Sequence, residues 1–287
     1  MHRLVYKDIV ANALAEDLGS GDWTTSSIFN GEEGKALIIA KEAGVLAGLP
    51  VAEEVFAQVD ARLHFMTNYQ DGSKINDGDC VAILEGPVAG ILMGERTALN
   101  FLQRMSGIAT ATRAVVASVH GTGAKISDTR KTAPGLRLLD KYAVRVGGGV
   151  NHRFNLADMV LIKDNHISGA GSIGEAVARV RRHCGFPVKI EVETKTLEEV
   201  GEALACSVDI IMLDNMTTGR MAEAVSLIAG RALVEASGGI SRERLPEVAA
   251  TGVDIISLGY LTNSRAFLSG RIRCIIAALV GTPHSPL

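Results

Sequence analysis

The chain has 287 residues, of which 47% are apolar and 21% are charged, an ordinary balance for a globular protein. Lys and Arg number 29 against 32 Asp and Glu, so the formal net charge is −3. This balance argues against a nucleic-acid-binding protein, which needs a surplus of clustered cations. The N-terminus reaches an acid at Asp8, and no run of about 18 uncharged apolar residues follows, so we expect neither a signal peptide nor a membrane span.

The four cysteines lie far apart in the sequence and form no CxxC pair. We interpret them as isolated thiols rather than metal ligands or disulfide partners, and this favours a reducing, cytoplasmic location. They are Cys80, Cys184, Cys206 and Cys274.

The first 110 residues predict a domain that combines helices with a sheet. Apolar spacing predicts a helix over 8–18 and a second helix from 94 to about 120. Short apolar runs predict strands over 36–40, 45–49 and 80–84, separated by glycine-containing turns.

After residue 120 short apolar runs alternate with helical stretches. Their polar ends are 21 to 35 residues apart, which is the length of one βα unit, so we predict parallel strands. Six strands are two fewer than a full β/α barrel contains, and we therefore predict an incomplete barrel over 111–270. The last segment, 271–280, is predicted to be a helix that returns to the N-terminal domain. The predicted strands cover 124–127, 159–162, 188–192, 210–213, 232–236 and 255–258; the helices between them cover 196–205, 220–228 and 242–250.

Polar residues follow each predicted strand, where the reacting groups of parallel barrels lie. The last two strands end in glycine-containing sequences, 237–239 and 257–259, that suit a phosphate group. The alternative is that these glycines only permit tight turns. The two middle strands end in single carboxylates, Glu193 and Asp214, which could bind ribose hydroxyls and Mg²⁺ or could pair with nearby cations. Glu191 shares a face with Glu193, and its role stays open.

The first two strand ends carry cations. Residues 125–166 contain eight Lys or Arg and four acids, which indicates a small polyanionic ligand. Arg130, Lys131 and Lys163 lie directly at strand ends, and the glycine-rich segment 147–153 leads to two further anion ligands. A solvated helix face is the simpler interpretation of three other cations: Arg137, Lys141 and Arg145.

These residues, in this order, resemble the quinolinate phosphoribosyltransferase family. The resemblance covers most of the chain, and its most specific part runs from Gly147 to His166 and ends in Lys163-Asp164-Asn165-His166. Other matching segments are Gly94 to Asn100, Ser106 to Thr110, Asp128 to Thr132, Glu191 to Glu193, Leu213 to Asn215, Ser237 to Gly239 and Ser257 to Gly259.

The resemblance implies an N-terminal α+β open-sandwich domain over 1–110, joined by a C-terminal helix at 271–287, together with the incomplete α/β barrel over 111–270. It implies transfer of phosphoribosyl from phosphoribosyl pyrophosphate to quinolinate with loss of CO2, giving nicotinate mononucleotide. It also implies a homodimer, or a multiple of dimers, with shared active sites and with neither nucleic-acid nor membrane partners. Two alternatives stay open: a molybdenum-transport-associated paralogue of the same fold, and a non-catalytic phosphate-ligand-binding barrel.

Site roles follow from the same resemblance. Arg96 would reach a substrate carboxylate in the partner subunit, and Lys131 would lie near the pyrophosphate. Glu193 and Asp214 would bind the ribose and Mg²⁺, and with Lys131 and Lys163 they form the predicted catalytic set. The dicarboxylate pocket would contain Arg130, His152, Arg153 and Lys163, and the 5′-phosphate would be bound by Ser237, Gly238, Gly239 and Gly259. Thr129 is also predicted to bind substrate.

Overall fold

The computed structural model describes residues 1–263 and the backbone of a strand at 272–277. It divides into two compact units. Unit 1 contains 1–111, 133–147 and the strand at 272–277, and unit 2 contains 112–132 and 148–263. Among the described residues, none of the helices has the length and apolar character that crossing a bilayer requires.

The elements follow one another in chain order. The helices are α1 Lys7–Leu18, α2 Trp23–Ile28, α3 Leu49–Val59, α4 Val88–Ser118, α5 Arg137–Val146, α6 Asp164–Ala170, α7 Ile173–His183, α8 Leu197–Ala205, α9 Thr218–Ile228, α10 Leu245–Ala249 and α11 Tyr260–Asn263. The strands are β1 Glu33–Ala40, β2 Gly44–Val45, β3 His64–Met66, β4 Lys74–Ile75, β5 Cys80–Pro87, β6 Lys125–Ser127, β7 Val160–Ile162, β8 Ile190–Thr194, β9 Ile210–Asp214, β10 Leu233–Ser237, β11 Ile255–Ser257 and β12 Ile272–Ala277. Two short 3-10 helices cover Arg3–Val5 and Arg242–Arg244.

Unit 1 contains a four-stranded antiparallel sheet in the order β12-β1-β5-β3. In β1 the buried residues Ala36, Ile38 and Ala40 alternate with more exposed ones, as expected for a sheet with one face on the core. The predicted strand over 45–49 is wrong beyond Val45. Helix α3 begins at Leu49, because Asp71 Oδ1 accepts the backbone N–H groups of Gly48 and Leu49.

The C-terminal helix predicted over 271–287 is wrong at residues 272–277, which form strand β12. This strand pairs antiparallel with β1 from Lys35↔Ala277 to Ala40↔Ile272. Three of its six residues are isoleucine, which favours a strand, and the pairing covers an edge of β1 that would otherwise be open. Residues 264–271 and 278–287, which the same prediction included, lie outside the described residues.

Helix α5 belongs to unit 1, although the predicted barrel domain of 111–270 included it. The Arg104 guanidinium of α4 donates two hydrogen bonds of 2.7 and 2.6 Å to the fully buried carboxylate of Asp140. Tyr142 also donates a hydrogen bond of 2.8 Å to Asp71 Oδ2. Two specific polar contacts, which helical periodicity does not reveal, therefore hold α5 against unit 1.

The solvated helix face predicted for α5 is wrong at its central residue. Lys141 is only 3% exposed, whereas Arg137 is half-buried and Arg145 is exposed. The reason is that α5 packs against the core of unit 1, which buries Leu139, Ala143 and Val144 and leaves little of the helix in solvent.

Unit 2 contains the six parallel strands that the sequence predicts, each within two residues of its predicted ends. Their order is β6-β11-β10-β9-β8-β7. Successive strands are therefore neighbours from β7 to β11, and β11 pairs with β6, while β6 and β7 are not hydrogen-bonded to each other in the described part of the chain. This is a β/α barrel opened between its first and second strands.

Side chains on these strands point alternately to two different environments. One set forms an apolar core with the surrounding helices and includes Ile162, Val192, Leu213, Val234 and Ile256. The intervening residues point to the other face and include polar groups. The predicted site residues at the strand ends, such as Glu193, Asp214 and Ser237, therefore share this second face of the sheet.

Candidate functional site

A cavity of about 570 Å³ lies in unit 2 at the carboxyl ends of the parallel strands. Eleven of the thirteen predicted site residues line it, although they come from five strand ends and one loop. The lining residues are Thr129, Arg130, Lys131, His152, Arg153, Leu161, Lys163, Glu193, Met212, Asp214, Asn215, Glu235, Ser237, Gly238, Gly239 and Ser257.

The two remaining predicted residues lie elsewhere. Arg96 is an exposed residue of α4 in unit 1. Gly259 is not among the lining residues, but a Cβ at this position would lie 2.9 Å from Lys131 Cδ. The absence of a side chain at Gly259 therefore gives the Lys131 side chain room.

The backbone around Lys131 is held by two threonines. Thr129 Oγ1 accepts the Lys131 N–H at 3.0 Å, and Thr262 Oγ1 donates to the Lys131 carbonyl at 2.7 Å. The Lys131 main chain is consequently restrained while its side chain remains exposed. This arrangement suits a point charge that meets an anion at the mouth of the cavity.

The loop between β6 and β7 brings two further predicted residues into the cavity. Val150 pairs with Ser127 along the free edge of β6. The carboxylate of Asp128 is fully buried and accepts hydrogen bonds from the His152 N–H, at 3.0 Å, and from the Asn151 side chain. These contacts determine where His152, and the Arg153 that follows it, enter the cavity.

Cations and carboxylates alternate at the mouth of the cavity. Lys163 Nζ lies 2.5 Å from Glu193 Oε2, and Lys195 Nζ lies 2.9 Å from Asp164 Oδ2. The Lys195 contact lowers the pKa of Asp164. Glu193 is buried while Lys163 is 46% exposed, so an incoming anion can reach the lysine from solvent.

Glu193 and Asp214 are a reasonable donor set for Mg²⁺. They lie on the neighbouring strands β8 and β9, and both line the cavity. Mg²⁺ prefers oxygen ligands, and proteins often bind it through one or two carboxylates while substrate phosphates and water supply the rest. The residues present therefore fit a Mg²⁺ ion whose remaining positions are filled by water or by ligand oxygens.

Gly238 and Asn215 are packed tightly against each other. A Cβ at Gly238 would lie 2.5 to 2.6 Å from three atoms of the Asn215 amide, and Gly238 has a φ of +86°. A side chain here would have to displace the Asn215 amide and adopt an unfavourable positive φ, so both effects favour glycine at this position. The backbone here stays bare and close to the cavity, as phosphate binding by N–H groups requires.

His152 contacts two buried acids at the base of the cavity. Its Nε2 lies 3.2 Å from Glu191 Oε2 and 3.4 Å from Glu235 Oε2. Burial opposes a charged ring, but the two carboxylates outweigh burial and raise the pKa of His152 to about 9. Nδ1 accepts the Arg153 N–H at 2.7 Å, which a ring protonated on both nitrogens could not do. This contact therefore exists only in the neutral ring; the charged ring that the raised pKa favours would lose it, and in both states Nε2 carries a proton that faces the two acids.

The sequence did not single out Glu235, Met212 or Leu161 as site residues, although all three line the cavity, and it indicated Ser257 only as part of the segment 257–259. Strand alternation could have found Glu235, because it lies two residues before Ser237 and therefore on the same face of β10. Met212 precedes Asp214 by the same spacing. Residue type gave no comparable signal, since a buried glutamate in an apolar strand can equally be a paired core residue.

Family models match both parts of the chain. The model described as "Quinolinate phosphoribosyl transferase, N-terminal domain" matches residues 22–106, and the one described as "Quinolinate phosphoribosyl transferase, C-terminal domain" matches residues 108–269. Together they cover most of the 287 residues.

Individual relatives agree with these matches. The chain is 46% identical over 264 residues to a Bacillus subtilis protein named "probable nicotinate-nucleotide pyrophosphorylase (carboxylating)", covering 92% of this chain and 91% of the relative. A Synechocystis protein of the same name is 47% identical over 247 residues, covering 85% and 84%. The crystal structure of NadC from Streptococcus pyogenes has a TM-score of 0.90 and 42% identity, covering 96% of each chain.

The packing at Gly238 gives a testable prediction. Gly238→Ala should destabilise the protein by about 1–3 kcal/mol, because the new methyl group meets the Asn215 amide and the φ is unfavourable for alanine. Gly201→Ala is the matched control in the same unit: it lies within α8, has no atom within 4 Å of a new Cβ, and should stabilise by up to about 1 kcal/mol. Urea unfolding followed by circular dichroism measures both. Equal stabilities for the two variants would contradict the packing argument.

Proposed function

Since the chain belongs to the quinolinate phosphoribosyltransferase family, we propose that it transfers phosphoribosyl from phosphoribosyl pyrophosphate to quinolinate. The products are nicotinate mononucleotide, pyrophosphate and CO2, a step of de novo NAD biosynthesis. The observation that supports this proposal most directly is that cations, two acids and a glycine-rich turn all line one cavity.

Quinolinate is bound at the cationic end of the cavity. Arg130, Arg153 and Lys163 provide positive charge from two strand ends and the loop between them. Guanidinium groups suit planar carboxylates, and lysine supplies a compact charge. The Arg153 guanidinium also donates to the Met159 carbonyl at 3.0 Å, which restricts its orientation.

Phosphoribosyl pyrophosphate is bound along the remaining strand ends. Gly238 and Gly239, with Ser237, bind its 5′-phosphate through backbone N–H groups and a hydroxyl. Glu193 and Asp214 bind the ribose hydroxyls and Mg²⁺, and Lys131 is close to the pyrophosphate. The phosphate-binding and ribose-binding residues are neighbours, as this arrangement requires, because Ser237 and Asp214 are register partners on adjacent strands.

The chemistry requires orientation and charge rather than a protein nucleophile. The bond from C1 of the ribose to the pyrophosphate oxygen breaks, its electron pair leaves with pyrophosphate, and the pyridine nitrogen forms the new bond to C1. Mg²⁺, when bound, supplies positive charge that neutralises the leaving pyrophosphate. The cationic ring nitrogen then accepts the electrons released as the adjacent carboxylate leaves as CO2, and a proton takes its place on the ring carbon.

The proposal includes a homodimer, or a multiple of dimers, with shared sites. Arg96 is exposed on α4 and absent from the residues that line the cavity, which is compatible with a role in the partner's site. A cytoplasmic location is also proposed, since the three cysteines whose side chains are described are free thiols.

A direct assay tests the function. The protein, incubated with quinolinate, phosphoribosyl pyrophosphate and Mg²⁺, should form nicotinate mononucleotide and CO2 in equal amounts, and chelation of Mg²⁺ should abolish both. Chromatography of the nucleotide and release of label from carboxyl-labelled quinolinate measure the two products. No product would refute the activity. Equal turnover of nicotinic acid would refute the assignment of quinolinate as the specific substrate.

Mixing inactive variants tests the shared site. Arg96→Ala and Lys163→Ala should each lose most activity, because each removes a cation that binds substrate. After subunit exchange the mixture should recover about a quarter of wild-type activity, because half of the re-assorted dimers are mixed and each has one intact site.

Arg182→Ala is the control for these cationic substitutions. Arg182 is an exposed residue of α7, with 67% of its side chain accessible, and lies outside the cavity, so wild-type activity is expected. Subunit exchange is followed with two differently tagged chains. Exchange without recovery of activity would show that Arg96 does not act in the partner's site.

A further inference from the structure

The base of the cavity contains a group of three titratable side chains whose two acids have no role in the proposed function. His152 Nε2 lies 3.2 Å from Glu191 Oε2 and 3.4 Å from Glu235 Oε2. Glu191 is fully buried, and Glu235 is 1% exposed. Burying two carboxylates this deeply is costly unless their partners compensate, so their contacts indicate what they do.

Glu235 has a second partner at the phosphate end of the cavity, by which we mean the end formed by Ser237, Gly238 and Gly239. Its Oε1 accepts a hydrogen bond of 2.6 Å from the Ser257 hydroxyl, and Ser257 Oγ lies 3.1 Å from Ser237 Oγ. Ser237 directly precedes the two glycines proposed to bind the 5′-phosphate. One oxygen of Glu235 therefore determines how two hydroxyl groups beside that phosphate are directed.

The other oxygen of Glu235 faces the dicarboxylate end of the cavity, which is the cationic end where quinolinate is proposed to bind. It approaches Nε2 of His152, whose opposite ring nitrogen lies 2.7 Å from the backbone nitrogen of Arg153. The orientation of the imidazole is thus coupled to the backbone of a residue proposed to bind quinolinate. A continuous series of contacts runs from Ser237 through Ser257, Glu235 and His152 to Arg153.

Glu191 differs from Glu235 in an informative way. It approaches the same ring nitrogen, but neither of its oxygens has a well-directed hydrogen bond among the described residues. The single Nε2–H can serve one carboxylate at a time. Glu191 therefore acts only at the quinolinate end, through His152 and through its charge on Arg153, whereas Glu235 acts on both His152 and the serines.

We propose that Glu235 is a positioning residue that couples the phosphate and dicarboxylate ends of the cavity, through Ser257 on one side and His152 on the other. The inference rests on the proposed function. It requires that loss of the Glu235 carboxylate weakens the binding of both substrates, whereas loss of Glu191 weakens that of quinolinate only.

The matched variants Glu235→Gln and Glu191→Gln test this requirement in the full-length chain. A neutral amide forms weaker contacts than a carboxylate, and its NH2 group cannot accept a hydrogen bond. Glu235→Gln should raise the KM for quinolinate and for phosphoribosyl pyrophosphate by about tenfold each. Glu191→Gln should raise the KM for quinolinate alone, and Ser257→Ala that for phosphoribosyl pyrophosphate alone.

Three outcomes would overturn the proposal. One is an unchanged KM for phosphoribosyl pyrophosphate in Glu235→Gln, and another is an equal rise of that KM in Glu191→Gln. The third is a stoichiometric divalent metal in the wild-type protein that both variants lose, because three possible ligand atoms lie within 4.8 Å of one another and would then form a metal centre. Wild-type enzyme assayed in parallel separates these results from a failure of the proposed function, in which no variant and no wild type would turn over.

Thermal unfolding of each variant accompanies the kinetics. A variant that only folds less completely loses active enzyme and lowers kcat without changing one KM selectively. The difference between the two substrates, compared across the Glu235 and Glu191 variants, is therefore the result that a purely structural role could not produce.

Discussion

The buried carboxylate of Asp128 is the interaction on which the cationic half of the cavity depends. The sheet of unit 2 is open between β6 and β7, so the edge of β6 is available to another segment. Val150 occupies it, donating its N–H to the Ile126 carbonyl at 2.8 Å and accepting the Asp128 N–H at 3.3 Å. The Asp128 carboxylate then accepts a hydrogen bond from the backbone N–H of His152 and so fixes the position of that residue. Because β6 and β7 are not paired among the described residues, the loop between them can occupy the edge of β6 and place Arg153 in the same cavity as Arg130.

Charge is arranged in layers within this cavity. Cations such as Lys131 and Lys163 are accessible from solvent, while Glu191 and Glu235 are buried beneath them. Exposed cations attract anionic substrates, and buried acids orient the groups that bind them. Since both proposed substrates are polyanions, a site of this kind achieves catalysis mainly by fixing their relative position and compensating charge as it moves.

The sequence predicts the parallel strands and the residues at their ends well, because both follow from local patterns. Six apolar runs at βα spacing determine which residues share an edge, and that edge contributes nine of the eleven predicted site residues that line the cavity. The failures have non-local causes. Helix α5 is held by Asp140 and Tyr142 through partners 36 and 71 residues away, and β12 forms by pairing with a strand at the other end of the chain. Glu235 was missed because its meaning depends on the two partners that the fold brings to it.

The central claim is that one cavity at the strand ends of unit 2 binds both substrates. A crystal structure with quinolinate and a non-reacting analogue of phosphoribosyl pyrophosphate tests it most directly. The account predicts the quinolinate carboxylates against Arg130, Arg153 and Lys163, and the 5′-phosphate at Gly238 and Gly239. Either ligand bound outside this cavity, or the two bound in the reverse orientation, would contradict it.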